Sequence, residues 1–150
     1  MTASTMTRTT DRSMETTPSG ATTAGVGAVS PWIRPWLRAE GVAVFAAGLA
    51  GFLAIGAPWY LFVLLLLVPD ASAVGYLRGP RVGAIVYNLA HDLATGVVIA
   101  GIGIALGAVP LMAAGAILVA HSGMDRLAGY GLKLPTSFQD THLGRIGRGR

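Results

Sequence analysis

The sequence predicts an all-α fold, a four-transmembrane-helix bundle of the multi-pass membrane class, and three observations carry that prediction. Charged residues make up only 12% of the 150-residue chain and apolar ones 53%, with a mean hydropathy of +0.60; a soluble domain averages about 25% charged. Two stretches lack Asp, Glu, Lys and Arg entirely: Gly41–Pro69, 29 residues, and Leu93–Met124, 32 residues. All 11 basic residues lie outside those stretches. So little charge excludes a soluble enzyme or a disordered regulator, because neither could cover its surface. With no cysteine there is no disulfide framework, zinc–thiolate site or cysteine nucleophile.

The elements follow in order. Residues 1–36 read as a Thr/Ser-rich cytoplasmic arm; nine of the first thirty residues are Thr. Such a segment buries too little apolar surface to fold and is predicted to be disordered. No apolar h-region lies near its start, so a signal peptide is not expected. The transmembrane domain spans 37–132. A helix crossing the ~30 Å hydrocarbon core needs about 20 residues, so each charge-free stretch is long for one span and short for two. Prolines divide them. Gly56-Ala57-Pro58 and Gly107-Ala108-Val109-Pro110 are stop-and-turn signals. The spans are placed at about 40–57, 59–77, 83–108 and 110–126, followed by a polar cytoplasmic tail, 133–150.

The basic residues orient this bundle. The connections at Pro58 and Pro110 contain no Lys or Arg, whereas the N-terminal residues up to Arg38, the Arg78/Arg81 loop and the stretch from Arg126 to Arg150 hold all of them. The positive-inside rule then puts both termini in the cytoplasm. Trp32 and Trp36 fall at the inner interface and Trp59 and Tyr60 at the outer one, as aromatic belts do. The net charge of +4 and pI of about 10.1 arise from arginines bordering apolar spans. They fit anionic lipid at the cytoplasmic face rather than nucleic acid. Gly75, Gly79 and Gly83 bracket the Gly79-Pro80 turn, and Gly103 and Gly107 suit close helix packing, with a homo-oligomer left open.

Polar residues within the spans form the candidate site. The second span carries Asp70, Ser72 and Tyr76; the third Asn88, His91, Asp92 and Thr95; the fourth His121, Ser122, Asp125 and Arg126; Glu40 opens the first. A central Asp costs about 2.5–3.5 kcal/mol on insertion scales, so these groups should face one another rather than lipid. Asn88, His91, Asp92 and Thr95 fall at i, i+3, i+4 and i+7, one helical stripe; Ser72 and Tyr76, like His121 and Asp125, are i, i+4 neighbours. At about 1.5 Å per residue, Asp70 lies ~12 Å from Arg78, His91 ~15 Å from Arg81 and His121 ~8 Å from Arg126. A bundle could gather Asp70, His91, His121 and Asp125 at one point.

Three readings of that cluster stay open. It is a structural network of hydrogen bonds and ion pairs between helices. It is a divalent-metal site, whose mixed N/O ligands suit zinc or manganese and whose bound water could hydrolyse a lipid-linked ester. Or it is a proton or ion relay through Asp70 and the histidines. Asp140 and His142 of the tail could fold back and close the site. His-Glu-x-x-His, Gly-x-Ser-x-Gly and phosphate-binding loops are absent.

One further signal is a series of short motifs. These are Pro69-Asp70-Ala71-Ser72, Gly75-Tyr76, Gly79-Pro80, Tyr87-Asn88-Leu89-Ala90-His91, His121-Ser122-Gly123-Met124-Asp125-Arg126, Gly129-Tyr130-Gly131-Leu132-Lys133 and Phe138-Gln139-Asp140-Thr141-His142-Leu143-Gly144. In series they resemble the bacterial membrane family catalogued as domain of unknown function 4260, over about residues 37–145. Leu134 stands where the pattern suggests an aromatic. The resemblance implies a four-helix membrane protein of the bacterial inner membrane and no particular activity.

Overall fold

A computed structural model describes residues 29–147. The first 28 residues of the expected arm lie outside that range. The described chain is helical, with one two-stranded ribbon near its end.

Helix α1, Arg34–Ala54, starts within the expected arm, six residues before the expected span. Pro35 sits in its first turn, where a fixed φ suits a helix and a missing N–H costs nothing. The chain turns at Gly56, φ 74°, and Pro58 leads into α2, Trp59–Leu65. Beyond α2 the backbone tightens into a 3₁₀ helix, Val68–Arg78. Pro69 causes the change: it cannot donate to the Leu65 carbonyl, and Asp70 N–H bonds Leu67 O at 3.2 Å instead of reaching back four residues. Eleven residues is long for a 3₁₀ run.

The expected third span is two helices. α3, Pro80–His91, and α4, Leu93–Leu106, meet at an angle of 51°. Asp92 is extended there, φ −81° and ψ 130°, the backbone of a helix N-cap ahead of a new apolar run. The predicted stripe of Asn88, His91, Asp92 and Thr95 is therefore interrupted after His91. Gly107, φ 63°, closes α4, and α5, Val109–Ala128, ends at Gly129 in the same left-handed conformation.

Two helices are by themselves long and apolar enough to cross a membrane, Arg34–Ala54 and Trp59–Arg78; counting the bent α3–α4 pair as one adds a third. α5 has 20 residues but is not among them. Its last two turns hold His121, Ser122, Asp125 and Arg126.

α5 is the centre of the molecule, with α1 and α4 packed along it, while α3 packs on the 3₁₀ helix. Small residues set the distances. A Cβ on Gly48 would fall 2.5 Å from Ala120 N, and one on Gly115 2.3 Å from Ala100 N, so these backbones touch. Gly83 likewise leaves room for the Tyr76 ring, and Gly79 makes the turn between them with φ 101°. Phe52, Phe62, Ala116, Ile117 and Ala120 form the apolar core, with the Phe52 and Phe62 rings edge-to-face at 5.4 Å. Leu64, Leu67, Val98 and Ile104 are among the large apolar side chains left exposed around the perimeter. Exposed apolar surface on this scale marks a membrane or protein contact.

Candidate metal centre

The cluster forms where two interrupted helices meet the polar end of α5. Each interruption frees a backbone carbonyl. Leu66, at the α2-to-3₁₀ transition, has no partner four residues on, and His121 Nδ1 donates to its oxygen at 2.7 Å. The His91 carbonyl, at the α3–α4 break, accepts from Ser122 Oγ at 2.8 Å. Adjacent residues of α5 thus satisfy two carbonyls that would otherwise be buried without partners.

These bonds fix the imidazoles. His91 Nδ1 donates to Tyr87 O at 2.8 Å, within its own helix. With both Nδ1 atoms donating to carbonyl oxygens, only Nε2 of each ring is left to face the carboxylates, as a lone pair on a neutral imidazole or as a donor on a protonated one, and His91 Nε2 is within hydrogen-bond distance of Asp70 Oδ1 at 3.3 Å. Both Nε2 atoms point at one place. Asp70 Oδ1 lies 3.3 Å from His91 Nε2 and 3.6 Å from His121 Nε2. Asp125 reaches the same two nitrogens at 4.0 Å through its two oxygens. One ligand atom each from Asp70, His91 and His121 lies within 4.8 Å of the others. The rings meet edge-to-face at 4.6 Å. His121 is completely buried, and its Nε2 has no hydrogen-bond partner. Asp70 is the accessible member, its side chain 51% exposed.

With neutral imidazoles these facing atoms are all acceptors and a cation between them would satisfy them; a proton on Nε2 would do the same for the His91–Asp70 pair. Zinc ligands about 2.0–2.2 Å from the metal in a tetrahedron stand about 3.3–3.6 Å apart. The Asp70–His91 and Asp70–His121 separations fall in that range, whereas Asp125 meets the two nitrogens through separate oxygens at 4.0 Å, outside it. Nδ1–H bonded to a backbone carbonyl is also the outer-shell contact that metal-binding histidines ordinarily make.

The remaining predicted residues divide. Arg126 Nη1 donates to Glu40 Oε1 at 3.0 Å, joining α5 to α1 beside the cluster. Asn88 turns to the tail: its Nδ2 donates to Lys133 O at 3.0 Å and its Oδ1 accepts from Lys133 N–H at 2.7 Å. Ser72 and Tyr76 do not share a face, because a 3₁₀ helix repeats every three residues; their oxygens are buried without partners. Among the described residues, no hydrogen bond or ion pair ties the Asp92 carboxylate to the cluster. With the greater 3₁₀ rise of about 2.0 Å per residue, Asp70 lies about 16 Å from Arg78 rather than about 12 Å.

The tail folds back over the centre. Leu132 N–H donates to His142 Nδ1 at 2.9 Å and His142 N–H to Leu132 O at 3.0 Å. Lys133 pairs with Thr141 in a β-bridge, and strands β1, Asp140–Thr141, and β2, Gly144–Arg145, run antiparallel beyond it. His142 faces a small cavity shared with His91, Ser122, Asp125 and Arg126. Asp140 serves its own hairpin instead, accepting from Thr136 Oγ1 at 2.8 Å and pairing with Arg145 at 3.6 Å. The Thr136 bond holds its carboxyl below the ordinary value.

Composition gave no sign of Lys133, Tyr87 or Phe138. Lys133 is 4% exposed, its Nζ 3.9 Å from the Phe138 ring centroid and 4.9 Å from that of Tyr87. Burial pushes its ammonium below the ordinary value, against the pull of Asp125 and Asp70. Tyr87 in turn stacks on His91 with centroids 3.5 Å apart. The available signals were that all three fall within the motif series and that Lys133 is the single lysine beside ten arginines.

Fold and site together define an all-helical protein with membrane-compatible helices and a buried His/Asp cluster under a folded tail. The family described as a domain of unknown function (DUF4260) matches residues 34–146, and the chain belongs to it. No curated protein and no solved structure matches the chain.

Proposed function

We propose that this chain is a four-span protein of the bacterial cytoplasmic membrane built around a divalent-cation centre of Asp70, His91, His121 and Asp125. The spans are α1, α2 with the 3₁₀ helix, the bent α3–α4 pair, and α5. Both termini face the cytoplasm, and the arginines there meet anionic lipid. The exposed Trp32 and Trp36 before α1 and the exposed Trp59 and Tyr60 after the first turn suit the two interfaces. Backbone irregularity at membrane depth is tolerated where it is buried in protein or lines a polar site, and both helix breaks do so here.

One observation carries the cation reading. Two imidazoles, each with Nδ1 committed to a backbone carbonyl, aim Nε2 at the same Asp70 oxygen, and the fully buried His121 Nε2 has no hydrogen-bond partner. Zinc or manganese answers that donor set. Elemental analysis of the purified protein should find about one such ion per chain, the number one tetrahedral set holds, lost in His91→Ala and in His121→Ala. Metal-free protein whose stability is unchanged in those variants would leave the cluster as a structural network. Metal-free protein that carries a proton flux abolished by Asp70→Asn would make it a relay.

A hydrolytic role is the second reading. The cavity against His91 and Asp125 holds about 10 Å³, room for about one water. Such a water on a divalent cation is a hydroxide source at neutral pH, and the half-exposed Asp70 opens the centre toward a lipid or lipid-linked ester.

A further inference from the structure

We infer that the folded-back tail, residues 130–147, is a lid over the His91–Asp125 side of the cation centre, and that opening it speeds exchange of the ion. The inference rests on the cation reading above and adds to it the route by which the centre is reached. The cavity walled by His91, Ser122, Asp125 and Arg126 from the helices and by Leu132 and His142 from the tail holds about one water.

The lid has a defined latch and a defined fit. Asn88, on α3 three residues before His91, grips the Lys133 backbone through both its donor and its acceptor, at 3.0 and 2.7 Å. These two bonds cross from the helical body to the tail, and no peptide unit of the tail could be matched more fully by one side chain. Behind the latch, Lys133 Nζ lies over Phe138 and Tyr87, and Tyr87 is stacked on the His91 ring, so tail and ligand share one packed column. The fit is set by Gly131. A Cβ there would lie 2.7 Å from His142 Nδ1 and 2.8 Å from Leu143 Cγ, so an added methyl must displace the His142 ring, which accepts from Leu132 N–H, or the Leu143 side chain. None of these residues is a ligand in the proposed centre. Loosening them should change access and leave the donor set intact.

The test uses the full-length protein in detergent micelles loaded with Co²⁺ or Zn²⁺. The rate of ion transfer to an excess of a soluble chelator is measured for the wild type, Asn88→Ala and Gly131→Ala. Hydrogen exchange at the Lys133 amide is followed in parallel, since its bond to Asn88 exists only while the tail is closed. Wild type should release its ion slowly. Both variants should bind the same number of ions and release them about tenfold faster or more, the scale of losing one or two hydrogen bonds from a local opening equilibrium, with faster exchange at the Lys133 amide of Gly131→Ala, which keeps the Asn88 acceptor. Faster amide exchange with an unchanged release rate overturns the lid and leaves the centre standing. Release already fast in the wild type also overturns it. A wild-type protein that holds no ion overturns the cation reading and the lid with it.

Discussion

His121 and Ser122 are neighbours on α5, and each answers a carbonyl freed by a different helix break: Leu66 O for the imidazole, His91 O for the hydroxyl. Their roles separate on substitution. Ser122→Ala leaves the buried His91 carbonyl without its donor and should lower unfolding stability by about 1–3 kcal/mol, read by thermal denaturation in detergent, while the protein keeps its ion. His121→Ala should lose the ion as well. The four cluster residues were legible in the sequence, because ionisable groups in apolar runs are expensive and must find one another. Which imidazole nitrogen carries hydrogen was not. That depends on which carbonyls the breaks release, and no spacing rule reports it. Lys133 was hidden for a similar reason: its burial comes from rings on α3 and the tail that meet only in three dimensions.

Helix ends at glycine and proline were readable in advance, and Gly56, Gly107 and Gly129 adopt left-handed backbones at ends of this kind. The break at Asp92 was not anticipated, since the i, i+3, i+4, i+7 pattern runs through it without a proline. Nor was the 3₁₀ helix; Pro69 was counted within a span rather than as a missing donor. Helix packing gives a matched test within α1. Gly48→Ala puts a Cβ 2.5 Å from Ala120 N and should cost about 1–3 kcal/mol by overpacking. Gly51→Ala meets only Ala116 Cβ at 3.9 Å and should be neutral or stabilising by up to about 1 kcal/mol, as alanine is the better helix former. Melting temperatures of the two variants in one detergent check the pair. In the terminal hairpin, the Asp140 carboxyl is held below its ordinary 3.8, chiefly by the Thr136 hydroxyl. Its contribution is therefore fully present above that value and is lost as pH falls through the lowered folded value. The protection of the Leu134 amide, whose N–H bonds Asp140 O, measured against the intrinsic exchange rate at each pH, should fall on acidification, and Asp140→Asn should flatten that response.

At the scale of the whole molecule, the sparse charge and its placement were enough to read an all-helical, membrane-compatible chain, and membership of the family agrees. The four-span topology has its own test. A reporter active only outside the cytoplasm should work when fused after Pro110 and fail after Arg81; the reverse pattern would sink the topology. The sequence did not convey that α5, the central helix, is also the one whose polar end keeps it out of the set that qualifies for the bilayer unaided. That has a consequence for biogenesis. A helix carrying His121, Asp125 and Arg126 gains little by partitioning into lipid alone. In the proposed four-span arrangement it must enter already paired, and its companion next in the chain is α4, joined to it by the turn at Gly107 and Ala108. The order of assembly would thereby be constrained: Arg34–Ala54 and Trp59–Arg78 could be released into the membrane singly, but the helix that completes the proposed centre would join only when a protein surface is waiting for it.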